Sequence, residues 1–204
     1  MRRLIIGISG ASGAIYGIRA LDVLSGVADV ETHLILSPSA KRTIVEETDW
    51  TVERVEALAH VVHQHRDIGA SISSGSFRTA GMLVAPCAIK TLSGIVSSYN
   101  DNLLTRAADV CLKERRRLVL LVRETPLHLG HIEMLAQATR IGAVILPPVP
   151  AFYNRPQTLD DIINQTVGKA LDQFEVEHQL FRRWKEPASA EQAVAAQAAA
   201  GRMR

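Results

Sequence analysis

Residues 4–17 read Leu4-Ile5-Ile6-Gly7-Ile8-Ser9-Gly10-Ala11-Ser12-Gly13-Ala14-Ile15-Tyr16-Gly17. An apolar run without polar alternation gives way to a glycine-rich turn, and the turn opens a helical pattern. A strand apolar on both faces must be covered on both faces, which is the case of a parallel sheet rather than a half-exposed antiparallel one. The apolar run follows Met1-Arg2-Arg3 but stops at the glycines, too short for the apolar core of a secretion signal.

The unit recurs along the chain. Strands are expected at Leu4–Ser9, Val30–Leu36, Met82–Pro86, Leu118–Val122 and Val144–Leu146. Helices are expected at Ile15–Leu24, Ala40–Glu47, Val52–Ala59, Leu92–Ser97, Leu103–Lys113, His131–Arg140 and Leu159–Phe181. Alternating strands and helices make an α/β protein with an open parallel sheet and helices on both faces. Thr158 precedes Asp160 and Asp161, an N-cap with acids facing the positive helix end. His60–Ala80 reads as a long polar connection. Past Trp184 the chain turns alanine-rich, with eight alanines in the thirteen residues from Ala188 to Ala200. With so little to bury, residues 186–204 are expected to form a frayed or disordered tail after one domain spanning 1–185.

At 204 residues one core is the expectation. Lys and Arg number 23 against 21 Asp and Glu, a net charge of +2, which is too weak a bias to argue for nucleic acid or an anionic membrane. No apolar window is long enough to span a bilayer. Two cysteines in apolar surroundings, Cys87 and Cys111, suit a reduced cytoplasmic protein rather than a disulfide framework.

Ligands in open parallel sheets bind beyond the carboxyl ends of the strands. Those ends carry Gly10-Ala11-Ser12-Gly13, Ser37-Pro38-Ser39, Cys87-Ala88-Ile89-Lys90-Thr91, Arg123-Glu124-Thr125-Pro126 and Pro147–Tyr153. Small hydroxyls, glycines, a lysine, an arginine, a glutamate and a tyrosine are thus expected to converge on one edge. The glycine turn would offer free N–H groups and a helix dipole to a phosphate. Glycines at 7, 10, 13 and 17 do not make G-x-G-x-x-G, Ser37 stands where a ribose-binding acid would, and no Gly-Lys-Ser/Thr follows. A mononucleotide phosphate fits better than NAD or ATP, with a purely structural tight turn as the alternative.

Other features have plainer readings. His60, His63 and His65 suggest a metal cluster but lack a fourth ligand, and read as a surface loop. His128 and His131 read as capping or packing at a helix start. Lys113-Glu114-Arg115-Arg116-Arg117 reads as a solvated helix C-terminus complementing the dipole. Arg106 and Lys113 are seven apart, on one helix face, where both can reach an anion. Cys87 is a nucleophile or a packed thiol, packing being favoured for want of a neighbouring histidine. Whether Trp184 closes the core is open.

Several of these segments together resemble the flavin prenyltransferases of the UbiX type. They are Gly7–Ala14, Glu46-Glu47-Thr48-Asp49, Ser73-Ser74-Gly75-Ser76, Pro86–Thr91, Arg106-Ala107-Ala108-Asp109, Lys113–Arg116, Arg123–Leu127 and Pro150–Tyr153. The resemblance runs from Arg3 to Trp184 and implies a Rossmann-like (flavodoxin-like) flavoprotein. It implies transfer of a dimethylallyl group from dimethylallyl monophosphate to N5 and C6 of reduced FMN. The prenylated FMN then serves a UbiD-type decarboxylase, as in ubiquinone synthesis, and members assemble as dodecamers with sites at subunit junctions. By position, Gly10, Ala11, Ser12, Ser37, Ala88, Ile89, Lys90, Thr91 and Arg123 would hold FMN. Ser74, Gly75, Arg106, Lys113, Tyr153 and Lys169 would hold the allylic phosphate, and Ser12, Glu47 and Glu124 would assist the chemistry. Lys169 stands where many members have arginine, keeping the charge but losing the bidentate fork. Lysines, arginine and a tyrosine hydroxyl can stabilise a leaving phosphate without metal, and the chain lacks the aspartate-rich motifs of magnesium-dependent prenyl enzymes. The alternatives are an FMN-dependent cysteine decarboxylase of the phosphopantothenoylcysteine type and a non-enzymatic flavin-binding decarboxylase subunit.

Overall fold

The structure, a computed structural model, describes residues 1–185. The expected tail, 186–204, lies outside the described residues. Six strands form one parallel sheet: β1 (Arg2–Ile8), β2 (Val30–Leu36), β3 (Val61–His63), β4 (Gly81–Cys87), β5 (Arg117–Val122) and β6 (Val144–Ile145). Their order is β3-β2-β1-β4-β5-β6, the doubly wound order that reverses between its two central strands. Among the described residues six helices lie between the strands, α1 (Ala14–Ser25), α2 (Pro38–Glu47), α3 (Val52–Glu56), α4 (Ile89–Val96), α5 (Leu103–Lys113) and α6 (Leu129–Arg140), and α7 (Leu159–Asp172) follows the last strand.

The strand residues split by parity, as the two-residue period of a strand requires. Leu4, Ile6, Ile8, Leu34 and Leu36 pack with Ile18 and Leu21 of α1, Ile44 of α2 and Val167 and Leu171 of α7. Ile5, Ile35, Met82, Val84 and Leu120 face the other way, onto Leu92 of α4, Leu104 and Ala107 of α5 and Ala138 of α6. Each fully buried Leu or Ile contributes roughly 1.5–3 kcal/mol, so both faces must stay covered. Gly17 sets how close α1 comes: a Cβ there would fall 2.2 Å from the Ala85 carbonyl oxygen.

Two expectations need correction. Val61–His63 is an edge strand paired with β2, too short at three residues to be read from periodicity, so His60–Ala80 is not all connection. A single 3-10 turn, Ser71–Ser73, interrupts the remainder and buries Ile72. The last helix ends at Asp172, not Phe181. Phe174 drops into the core, Glu175 takes a positive φ of 56°, and the chain folds back along α7. Gly168 makes room for the Phe181 ring, and the Gly168 carbonyl pairs with His178 Nε2 at 2.9 Å.

Candidate active site

The reversal of strand order places the crevice between the carboxyl ends of β1 and β4. The first wall is the glycine turn. Gly13 adopts a left-handed φ of 97° as the N-cap of α1 and offers no side-chain cap. Its amide instead donates to Glu47 Oε2 at 2.8 Å, so the end of α2 ties down the turn. Gly10 touches the start of α2, since a Cβ would fall 2.2 Å from Ser39 Cβ. Ser37 caps α2 through the Ala40 amide at 3.1 Å, and its own amide donates to the Ile8 carbonyl at 3.0 Å.

The opposite wall is the start of α4. Ala88 is its N-cap and carries no capping group. Among the described residues the amides of Ile89, Lys90 and Thr91 have no hydrogen-bond partner. Unsatisfied first-turn donors at a positive helix end are an anion site in waiting. A cavity of about 610 Å³ lies here, lined by Gly10, Ser37, Ala88, Lys90 and Thr91, with His65 and Asn102 on its far side. The Arg123 amide donates to the Cys87 carbonyl at 3.1 Å, which joins β5 to this edge. Burial pushes the Tyr16 hydroxyl up, with the Arg123 guanidinium opposing part of that shift. Glu124 is exposed and accepts the Thr125 amide at 3.0 Å rather than pairing with Arg123. From sequence Tyr16 carries no site assignment, and His65 reads as a surface loop rather than as part of this crevice. One sits inside a helix and the other in a polar stretch, so neither carries a motif signal.

Two of the expected residues, Lys113 and Lys169, do not join this edge within one chain. Helix α5 runs back from the cavity, with Asn102 at its start and Lys113 at its end. Its 11 residues span roughly 16 Å at 1.5 Å each. Lys113 therefore sits at the amino edge of the sheet, beside Gly75, where it pairs with Glu114. Arg106 is committed to the Ser73 carbonyl at 3.1 Å and to Asp109 at 3.0 Å. Arg116 donates to the carbonyls of Gly75 and Phe77 at 2.5 and 2.8 Å, pinning the segment that carries Ser74. Lys169 lies near the end of α7, 3.7 Å from Asp172. That end also belongs to the amino edge, for the Phe174 carbonyl accepts from Arg2 at 3.0 Å. Burial raises the Asp172 carboxyl, yet Arg183, His178 and Lys169 together hold it below the usual range. Tyr153 stacks edge-on against Trp184 with centroids 5.5 Å apart, and Trp184 is 66 % exposed, so it does not close the core.

The remaining candidates resolve on burial. Burial pushes the Cys87 thiol up to about 12, which leaves it protonated and packed rather than nucleophilic. His63 is not a surface-loop residue, since it ends the edge strand β3, whereas His60 stays exposed in the bend before it. His63 Nε2 lies 2.9 Å from Nδ1 of the buried His33, whose Nε2 lies 2.8 Å from Glu31, and His60 Nδ1 lies 3.0 Å from the Thr32 hydroxyl. Among the described residues no three His, Cys, Asp or Glu side chains group as a metal site. His128 is the N-cap of α6 without a side-chain cap bond, and its ring packs on His131 at 3.6 Å between centroids. A second cavity of about 670 Å³ at the amino edge is lined by Arg2, Arg116, Arg117 and Phe174. It faces the carbonyl ends of α5 and α6, which those cations complement. Among the described residues no helix is long and apolar enough to cross a membrane.

A doubly wound sheet with a mononucleotide-sized crevice and no dinucleotide fingerprint defines a class, and residues 1–171 match the family model described as Flavoprotein. The chain belongs to the flavoprotein family, and within it to the UbiX flavin prenyltransferases. It is 66% identical over 187 residues to flavin prenyltransferase UbiX of Escherichia coli strain K12, covering 91% of this chain and 99% of the relative. It is 63% identical over 182 residues to flavin prenyltransferase UbiX of Thauera aromatica, covering 89% and 93%. Among solved structures it is similar to AnUbiX (PadA1) in complex with FMN and dimethylallyl pyrophosphate, with a TM-score of 0.89 and 49% identity over 92% and 99% of the two chains. The dodecameric FMN-dependent UbiX-like decarboxylase of Escherichia coli O157:H7 gives 0.88 and 50% over 90% and 100%. The FMN-dependent cysteine decarboxylase TvaF is only 16% identical and shares the fold alone.

Proposed function

We infer that this protein is a flavin prenyltransferase. It transfers the dimethylallyl group of dimethylallyl monophosphate to N5 and C6 of reduced FMN, and a UbiD-type decarboxylase uses the prenylated FMN. The observation that carries the reading is the uncapped start of α4, which with Gly10 and Ser37 lines a cavity of about 610 Å³ in a chain 66% identical to a flavin prenyltransferase.

The residues present fit FMN. Gly10, Ala11, Ser12, Ser37, Ala88, Ile89, Lys90, Thr91 and Arg123 would hold it, with the unpartnered amides of Ile89 to Thr91 and the Arg123 guanidinium available to its phosphate. Bound reduced FMN supplies the nucleophilic positions that accept the dimethylallyl group. Glu47 holds the turn that carries the exposed Ser12 through the Gly13 amide. Glu124, exposed beside Arg123, is placed to take or give a proton. Ser74, Gly75, Arg106, Lys113, Tyr153 and Lys169 form the phosphate half. Lysine and arginine charges there stabilise the departing phosphate as the C–O bond breaks. Lys113 and Lys169 stand at the amino edge of their own chain, so the phosphate half meets the flavin half of a neighbouring copy. A homo-oligomer, a dodecamer as in the E. coli O157:H7 relative, supplies that neighbour. Two free thiols, Cys87 and Cys111, support a cytoplasmic location.

Anaerobic incubation with reduced FMN and dimethylallyl monophosphate, followed by mass spectrometry of the flavin, tests the reading. A flavin heavier by one dimethylallyl unit is expected, with dimethylallyl pyrophosphate as the comparison substrate. Unmodified FMN with both substrates would refute it.

A further inference from the structure

Ser9 is 1 % exposed and lies at the reversal of strand order, between the carboxyl ends of β1 and β4. Its hydroxyl donates to the Pro86 carbonyl at 2.9 Å and accepts the Ala88 amide at 2.8 Å. Its own amide also donates to the Pro86 carbonyl, at 3.2 Å. The regular β1–β4 register stops at the Gly7–Val84 pair, and β4 slips against β5 between Val84 and Cys87. Beyond Val84 the β5 ladder resumes only at the Cys87–Val122 pair and the β1 ladder does not resume, so on the β1 side Ser9 carries the connection onward.

Both segments that Ser9 joins face the cavity. Gly10 follows it directly, and Ala88 is the N-cap of α4 whose next three amides are unpartnered. Holding the Ala88 amide fixes where those three amides point. With alanine at position 9, the Ala88 amide would lose its acceptor, and the spacing between glycine turn and helix start would lose its strut.

We propose that Ser9 is a positioning residue for FMN binding: its buried hydroxyl sets the distance and angle between the Gly10–Ser12 turn and the amides that open α4. The proposal rests on the reading of this edge as the flavin site. It assigns Ser9 no contact with flavin or allylic substrate.

The test compares wild type with Ser9→Ala and Ser9→Thr by FMN titration, KM for dimethylallyl monophosphate and thermal melting without ligand. Losing the acceptor of a buried donor should weaken FMN binding about 10-fold in Ser9→Ala. The allylic KM should stay within about twofold, and Ser9→Thr, which keeps the hydroxyl, should recover most of the FMN affinity. If Ser9→Ala melts lower but binds FMN like wild type, the hydroxyl is only structural and the proposal fails. Wild type that does not bind FMN would instead overturn the flavin reading. Amide exchange on the unmodified protein gives a second readout that needs no variant. Ala88 should be protected with and without FMN, whereas Ile89–Thr91 should gain protection only with FMN. An Ala88 amide exchanging as fast as those three in the free protein overturns the proposal.

Discussion

If the phosphate half of each site comes from a neighbour, two crippled subunits should rescue each other. One subunit would carry Arg123→Ala, which damages the flavin half, and the other Lys113→Ala, which damages the phosphate half. Removing one charge-assisted contact should lower activity roughly 10- to 150-fold in each pure variant. The geometry sets the mixed result. Helix α5 separates Lys113 from the cavity by roughly 16 Å, more than a lysine side chain bridges, so under the proposed division a chain does not complete its own site. In assemblies of both subunits at equal ratio, half the flavin halves and half the phosphate halves are intact. About a quarter of the junctions then pair two intact halves, and activity should return to about 25 % of wild type. Differently tagged subunits would be co-expressed, purified through both tags, and assayed for prenylated FMN below the KM of the allylic substrate. Activity no higher than the mean of the two pure variants would refute the argument.

Further outcomes follow from particular contacts. Gly17→Ala places a Cβ 2.2 Å from the Ala85 oxygen and 2.7 Å from the Ile8 side chain, so urea unfolding should show a loss of about 1–3 kcal/mol; an unchanged midpoint would contradict the close approach. Burial holds His33 and His63 below the usual 6.5, with Glu31, Arg3, His60 and Asp67 as the charged or titratable neighbours. A depressed histidine contributes stability above the unfolded value that is lost as pH falls through the folded one, so acidification from neutral pH should destabilise wild type and His33→Asn should flatten that slope; parallel slopes would count against the pair. Lys169→Ala should raise the KM for dimethylallyl monophosphate roughly 10-fold and leave FMN affinity within about twofold. Lys169→Arg should lower that KM because the fork can bond twice; a primary loss of FMN affinity in Lys169→Ala would invert the division of the site.

Much of the molecule follows from residue order alone. Runs such as Leu4–Ile8 and Leu118–Val122, apolar at successive positions, require cover on both faces, and that already selects a parallel sheet between two helical layers. The missing third glycine spacing and Ser37 exclude a dinucleotide, and Thr158 with Asp161 writes a helix start that the structure closes as a reciprocal capping box. Such features are local, because period, turn chemistry and caps act within a few residues. Distance across the fold is not. Arg106 and Lys113 share a helix face in sequence, yet only the direction of α5 against the sheet shows that Lys113 ends at the amino edge, away from its own flavin crevice. Val61–His63 becomes a strand only because β2 lies beside it, and His63 becomes half-buried for the same reason. Phe174, Val176 and Phe181 continue an apolar pattern, and only packing against Gly81 and Gly168 turns that pattern back on itself. Ser9 is one small hydroxyl among several in a glycine-rich turn. Its bonds reach Pro86 and Ala88, nearly eighty residues away, and a contact made across the reversal of a sheet has no period that a sequence could display.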